Sequence, residues 1–148
     1  MRIRTASAAD HDAVARIYRE ASLSNAGDRP HLLRHPEALD FPIEQLDRGY
    51  TVVAVGEDDS VLGFATAVPD DDGWELEDLF VDPRRMRRGV ATRLVTELAD
   101  RARRAGAGPV RVTANPHAAA FYRSAGFVPD GVTETRYGPA PRLRLDLR

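Results

Sequence analysis

The sequence predicts an α+β fold on three observations. Three short runs with strand patterning follow one another between residues 51 and 81, separated by acidic turn sequences. A long run with apolar residues at helical spacing opens just after Gly89. Further strand patterns lie before and after this block, so helices and strands do not simply alternate.

Taken in order, RIRTA (residues 2–6) alternates like a short strand. Ser7 and Asp10 have capping-box spacing and open a helix with Val14, Ile17, Tyr18 and Ala21 on one face. SLSNAGDRPHLLRH (22–35) is rich in turn formers, and Pro36 begins a weaker helical pattern through Ile43 and Leu46, ending near Gly49. TVVAV (51–55), VLGFATAV (61–68) and WELEDLFV (74–81) read as successive antiparallel strands, turning at GEDDS and PDDDG. The next helix carries Val90, Ala91, Leu94, Val95, Leu98, Ala99 and Ala102 on one face and is stopped by Gly106 and Gly108. PVRVTA (109–114) is another strand and HAAAFYRSA (117–125) a short helix, while GFVPDG and RLRLDL (142–147) are the closing strands. With no repeat or linker, the expectation is one domain spanning residues 1–148.

Composition removes several function classes. The 148 residues, 43% of them hydrophobic, suit one domain that buries about 70% of the surface its unfolded chain exposes. Without cysteine there is no disulfide framework, no thiol nucleophile and no thiolate zinc site. A net charge of -2, the difference between 21 cations and 23 anions, gives the whole molecule no strong electrostatic case for nucleic acid. No apolar run is long enough for a membrane span, and MRIRTASAADHD lacks the apolar stretch of a secretion signal, so a cytoplasmic protein is expected. His31 and His35 lie four apart with no third ligand nearby, so no metal is assigned.

Any anion site must therefore be local, and MRRGVATRL (86–94) offers one. A strand ending at Val81, a short basic loop and a glycine at a helix start leave several N–H groups without intrahelical partners, all at the positive end of the helix dipole. Gly89 permits close approach of a ligand, Ala91 keeps the next turn small, and Arg87 and Arg88 add charge for a phosphate. The same stretch also reads as an ordinary helix start behind a basic loop. It lacks the Lys-Ser/Thr ending of a P-loop and does not match G-x-G-x-x-G, so neither nucleotide fingerprint applies.

VDPRRMRRGVATRL, followed after one helix and one strand by NPHAAAFYRSAGF, resembles the GNAT superfamily of acetyl-CoA-dependent N-acetyltransferases. The resemblance implies a mixed, mostly antiparallel sheet of six to seven strands flanked by helices, splayed at the strands that hold acetyl-CoA. In that family a Q/R-x-x-G-x-G/A signature cradles the CoA pyrophosphate. Here it falls on Met86, Arg87, Arg88, Gly89, Val90 and Ala91, with Thr92 following. Met86 departs from the usual Gln or Arg, removing a side-chain donor while leaving the backbone donors. An N-x-x-A-x-x-x-Y-x-x-x-G-F segment lies along the pantetheine arm and thiol, and falls on Asn115, Ala118, Tyr122, Gly126 and Phe127, with Phe121 beside the tyrosine. Backbone groups at Leu79, Phe80 and Val81 are then expected to meet the pantetheine amides.

The chemistry asks for a base and an acid. An alkyl ammonium titrates near ~10.4, so acetyl transfer to an amine requires a group that takes its proton. Glu75 and Glu77 share a strand face with Leu79 and Val81 and are the candidates, Glu77 first; both also read as the solvent face of an alternating strand. Tyr122, a phenol, is the candidate donor to the leaving sulfur, and equally a core aromatic beside Phe121. Asn115 before Pro116 also has the placing of a helix cap. The function expected is an acyltransferase moving acetyl from acetyl-CoA to a primary amine by direct attack, in a monomer or homodimer. Its acceptor, whether small amine, antibiotic, peptide N-terminus or protein lysine, is left open. Two rivals stand beside it: a CoA-binding sensor without turnover, and a nucleic-acid module using PRRMRR.

Overall fold

The computed structural model describes residues 1–24, 28–136 and 138–147, so Asn25, Ala26 and Gly27 of the turn-rich stretch lie outside the described residues. The strands are β1 (Arg2–Thr5), β2 (Thr51–Val55), β3 (Val61–Asp70), β4 (Gly73–Val81), β5 (Val110–Thr113), β6 (Val128–Thr135) and β7 (Gly138–Leu145). The helices are α1 (His11–Leu23), α2 (Arg29–Arg34), α3 (Val90–Arg104) and α4 (Ala119–Ser124). All seven strands belong to one sheet in the order β1-β2-β3-β4-β5-β7-β6. The β1–β2, β2–β3, β5–β7 and β6–β7 pairs are antiparallel, and β4–β5 is parallel because α3 forms the crossover between them. The expected α+β class and strand count are therefore observed. The chain forms two compact units, Met1–Thr66 with Asp78–Leu94, and Ala67–Glu77 with Val95–Arg148.

The first unit is organised by the apolar stripe of α1. Val14 and Ile17 are fully buried and pack with Phe41, Leu46, Val53, Val55 and Phe64, while Tyr18 and Phe80 close the cluster. Phe80 meets Tyr18 edge-on at 5.0 Å and stacks on Phe64 at 5.5 Å between ring centroids. Burial of each of these large side chains stabilises the unit by roughly 1.5–3 kcal/mol. Asp10, buried at the start of α1, accepts both guanidinium nitrogens of Arg4 at 2.8 and 2.9 Å, and the Ser7 N–H donates to it at 2.9 Å. The hydrogen bond from Arg4 outweighs burial and, with the Ser7 donor, holds the Asp10 carboxyl below its ordinary range.

Residues 29–48 depart from the sequence reading. Arg29–Arg34 forms a helix where turns are expected, with Pro30 in its first turn and Leu32 buried. Proline is tolerated there because a first-turn N–H has no intrahelical partner to lose. The single helix expected from Pro36 is instead two 3-10 segments, Pro36–Leu39 and Ile43–Arg48, interrupted by extended backbone at Asp40 and Pro42. Pro42 disfavours the helical conformation for the residue before it, and Phe41 turns into the core at this break.

In the second unit β5 is the inner strand. It pairs along Val110–Thr113 with β7, and with β4 through Trp74–Val110, Glu75–Arg111 and Leu76–Val112. At the start of this parallel ladder two glycines are required by contact. A Cβ on Gly73 would lie 2.0 Å from the Pro109 oxygen, and one on Gly108 would lie 2.2 Å from the Asp72 oxygen. The C-terminal turn of α3 ends in a Schellman arrangement, with Gly106 at φ +71° and the Ala107 N–H donating to the Ala102 oxygen at 3.0 Å.

Candidate functional site

The glycine corner lies in the first unit. After β4, Asp82 is buried and its Oδ1 accepts the Arg84 N–H at 3.0 Å, capping a 3-10 turn over Pro83–Arg85. Met86 is extended and exposed, Arg87 is left-handed at φ +65°, and Gly89 is left-handed at φ +77° with nothing within 4 Å of the place a Cβ would occupy. The first intrahelical bond of α3 runs from the Arg93 N–H to the Gly89 oxygen at 3.0 Å, so the N–H groups of Val90, Ala91 and Thr92 have no intrahelical acceptor. Arg87, Arg88 and Thr92 are exposed and Ala91 half-buried. An open backbone cradle at the positive end of a 15-residue helix, flanked by two exposed guanidinium groups, suits a phosphate ester. Arg85 and Arg88 also line an adjoining hollow of about 480 Å³, whose other wall carries Glu57 and Asp58. Upstream, Leu79, Phe80 and Val81 are all half-buried, and the Phe80 ring is committed to the aromatic cluster, leaving only its backbone for a ligand.

The second motif lies in the second unit, where its residues are linked through successive hydrogen bonds. Asn115 Oδ1 accepts the Ala118 N–H at 2.9 Å, the Ala118 oxygen accepts the Tyr122 N–H at 3.1 Å, and the Tyr122 oxygen accepts the Phe127 N–H at 3.0 Å. Gly126, at φ +101°, makes the left-handed turn that the last bond needs. The motif's spacing is thus the spacing of one capped, glycine-terminated helix, and α4 begins at Ala119 because Asn115–Ala118 is its entry turn. Tyr122 is buried, its ring between Phe121 at 5.3 Å and Phe127 at 5.2 Å. Ala118 and Phe121 are half-buried and Asn115 is exposed.

The two glutamates are not equivalent. Glu75 is half-buried and its Oε2 accepts from Arg142 Nη1 at 2.7 Å. Glu77 is exposed and, among the described residues, forms no ion pair. It is also the first β4 residue beyond the last rung shared with β5.

The sequence matches a family model described as the acetyltransferase (GNAT) family over residues 12–127, most of the chain and both motifs. The chain belongs to the GNAT acetyltransferase family. Solved structures of the same fold include the PaiA N-acetyltransferase from Thermoplasma acidophilum in complex with coenzyme A, at 16% identity over 98% of each chain and a TM-score of 0.78. An aminoglycoside 6'-N-acetyltransferase complexed with coenzyme A matches at 19% identity over 100% of this chain and 98% of its own, with a TM-score of 0.77. YncA from Salmonella typhimurium, solved with its cofactor acetyl-CoA, matches at 26% identity over 100% of this chain and 94% of its own, with a TM-score of 0.72. No curated protein matches the sequence.

This GNAT chain is an acyltransferase by family, and its fold carries two features that local sequence reading misses. Among the described residues no group of three His, Cys, Asp or Glu side chains could hold a metal ion, and no helix is long and apolar enough to cross a membrane. One missed feature is Arg142, whose partners Glu75 and Thr113 lie on other strands far away in sequence. The other is Asp82, an ordinary acidic residue in a turn until its burial is known. Its N–H donates to the Leu62 oxygen at 2.8 Å, Oδ1 also accepts Arg84 Nε at 3.2 Å, and Oδ2 faces Arg16 at 3.4 Å. Burial alone would raise its carboxyl; the Arg84 N–H and guanidinium, with Arg16, overcome that and hold it below the ordinary range.

A depressed folded-state value means that this stabilisation is present above the unfolded value, near ~3.9, and is lost as pH falls through it toward the folded one. Asp82→Asn is therefore expected to lose about 1–3 kcal/mol at neutral pH, read as a lower Tm. The gap from the parent protein should narrow below about pH 4. A constant gap down to strongly acid pH would remove the carboxylate from the support of the corner.

Proposed function

We propose that the protein is an N-acetyltransferase that transfers the acetyl group of acetyl-CoA to a primary amine, by direct attack while both are bound, as a cytoplasmic monomer or homodimer. The observation that carries this reading is the corner at Arg87–Gly89, whose left-handed backbone leaves open space before the first N–H groups of α3. The chain is read as one acetyltransferase domain, since the family match runs through both compact units.

When bound, acetyl-CoA supplies an activated acetyl group on a thioester. The N–H groups of Val90, Ala91 and Thr92, with Arg87 and Arg88, are assigned to its diphosphate, and the absence of a side-chain donor at Met86 leaves that task to the backbone. Leu79, Phe80 and Val81 offer strand peptide groups to the pantetheine amides, and Asn115, Ala118 and Phe121 line the arm. Glu77 takes the ammonium proton through water, having no competing cation, while Glu75 is the weaker candidate because Arg142 already engages it. The amine nitrogen then forms its bond to the carbonyl carbon, the bond to sulfur breaks, the Tyr122 hydroxyl hands a proton to the sulfur, and the proton that the nitrogen must still lose returns through water to the tyrosine oxygen. Holding both reactants in one site provides most of the acceleration. The acceptor belongs to the small amines acted on by neighbours whose names specify an aminoglycoside or nourseothricin.

The reading is tested by incubating acetyl-CoA with pooled amines and detecting free thiol, alongside the Tm shift that CoA produces. Thiol release with at least one pool is expected. CoA binding with no turnover on any pool would make the protein a sensor instead, and salt-sensitive DNA or RNA binding without CoA binding would place its function at PRRMRR. Tyr122→Phe, which removes one hydroxyl and little volume, should keep the CoA shift and slow transfer about a hundredfold or more. Equal turnover would leave Tyr122 as a core aromatic.

A further inference from the structure

Strand β5 is paired with β7 along its full length, and Thr113 sits opposite Arg142 in that ladder. On its other edge β5 is paired with β4 only as far as Leu76–Val112. At this fork Arg142 Nη1, from β7, reaches past β5 and donates to both Thr113 Oγ1 at 2.9 Å and Glu75 Oε2 at 2.7 Å. One nitrogen thus ties three strands on the face that Glu75 shares with Glu77. The other arginines on this face, Arg111 and Arg144, pair with Asp72, Asp130 and Asp146 away from the fork.

The Arg142 and Glu75 side chains are 24% and 21% exposed, so the pair is neither a fully wet surface bridge nor a deeply buried one. Its position gives it leverage. Glu77 is the next residue on this face and the first past the last rung, so the angle at which β4 leaves β5 sets where its carboxylate stands.

We propose that Arg142 is a positioning residue, clamping β4 to β5 and β7 through Glu75 and Thr113, and that Glu75 serves as its anchor rather than as the proton acceptor. This rests on the acetyltransferase reading for its effect on rate, but not for its effect on the strands. Loss of the clamp loosens the fork and misplaces Glu77 without touching the glycine corner.

The test uses the full chain and four variants. In Arg142→Met, amide hydrogen exchange at Leu76, Thr113 and Ala114 should quicken by about tenfold or more without ligand. Its kcat should fall about tenfold to a hundredfold, with KM for acetyl-CoA within about twofold. Arg142→Lys, which keeps a cationic donor, should recover part of both losses. Glu75→Gln retains an oxygen that can accept from Nη1 and should keep the pH dependence of the rate, whereas Glu75→Met should fall with Arg142→Met. Unchanged exchange at the fork in a folded Arg142→Met variant would overturn the clamp. Loss of the pH dependence in Glu75→Gln would make Glu75 the base and overturn the anchor role. If the parent protein acetylates no amine, the functional reading fails, while exchange at the fork still decides whether the clamp exists.

Discussion

Glu77→Gln is expected to slow acetyl transfer about a hundredfold to ten-thousandfold at neutral pH, the usual worth of a general base. The substitution keeps the side chain's shape and removes only the carboxylate. At neutral pH an alkyl amine is almost wholly protonated, so the deficit is greatest there. As pH climbs toward the amine's own value near ~10.4, more of the substrate arrives neutral and the variant should approach the parent rate. Glu75→Gln should not show this rescue. A parent-like pH–rate profile for Glu77→Gln on a good acceptor would remove Glu77 from the mechanism.

Gly89→Glu should abolish the Tm shift that CoA produces. Two effects act together. The side chain enters the space that is open in front of Gly89, and its charge opposes a phosphate at the positive end of α3. The lost signal is large: a ligand at a hundred times its Kd stabilises the folded state by about 2.7 kcal/mol. Because Gly89 is left-handed at φ +77°, any side chain there also strains the backbone. Gly89→Ala is the matched control, with a lower starting Tm from strain of about 1 kcal/mol and a CoA shift largely kept. A full CoA shift in folded Gly89→Glu would place the diphosphate elsewhere.

Element order is legible in this chain wherever local periodicity and burial agree. The face of α3 from Val90 to Ala102 and the continuous apolar runs of β2 and β3 owe their patterns to the core they cover, so the pattern announces the element. Residues 29–48 resist such reading because their helices are short and proline-interrupted, too brief for a period to accumulate, with Leu32, Leu39, Phe41 and Leu46 buried one by one. At the site, Gly89 and the Asn115–Phe127 spacing are local and visible in one dimension. Asp82 and Arg142 are not, because the first matters through burial and the second through a carboxylate 67 residues away. Nor does spacing separate Glu75 from Glu77, which differ in burial, in pairing with β5 and in whether a distant arginine reaches them.

The glycine seam where β4 and β5 begin has a consequence in folding time. Trp74 donates its N–H to the Pro109 oxygen and Gly108 donates to the Asp72 oxygen, so the first rungs join segments separated by all of α3. Non-local parallel pairing incurs its loop-closure entropy before its contacts repay it, and is slow for that reason. With each glycine's missing side chain filled by the other strand's carbonyl, this end admits little error in register. The expected order of assembly is then α3 first, the seam next and the fork last. The part of the sheet that completes last is the part the proposed chemistry needs open.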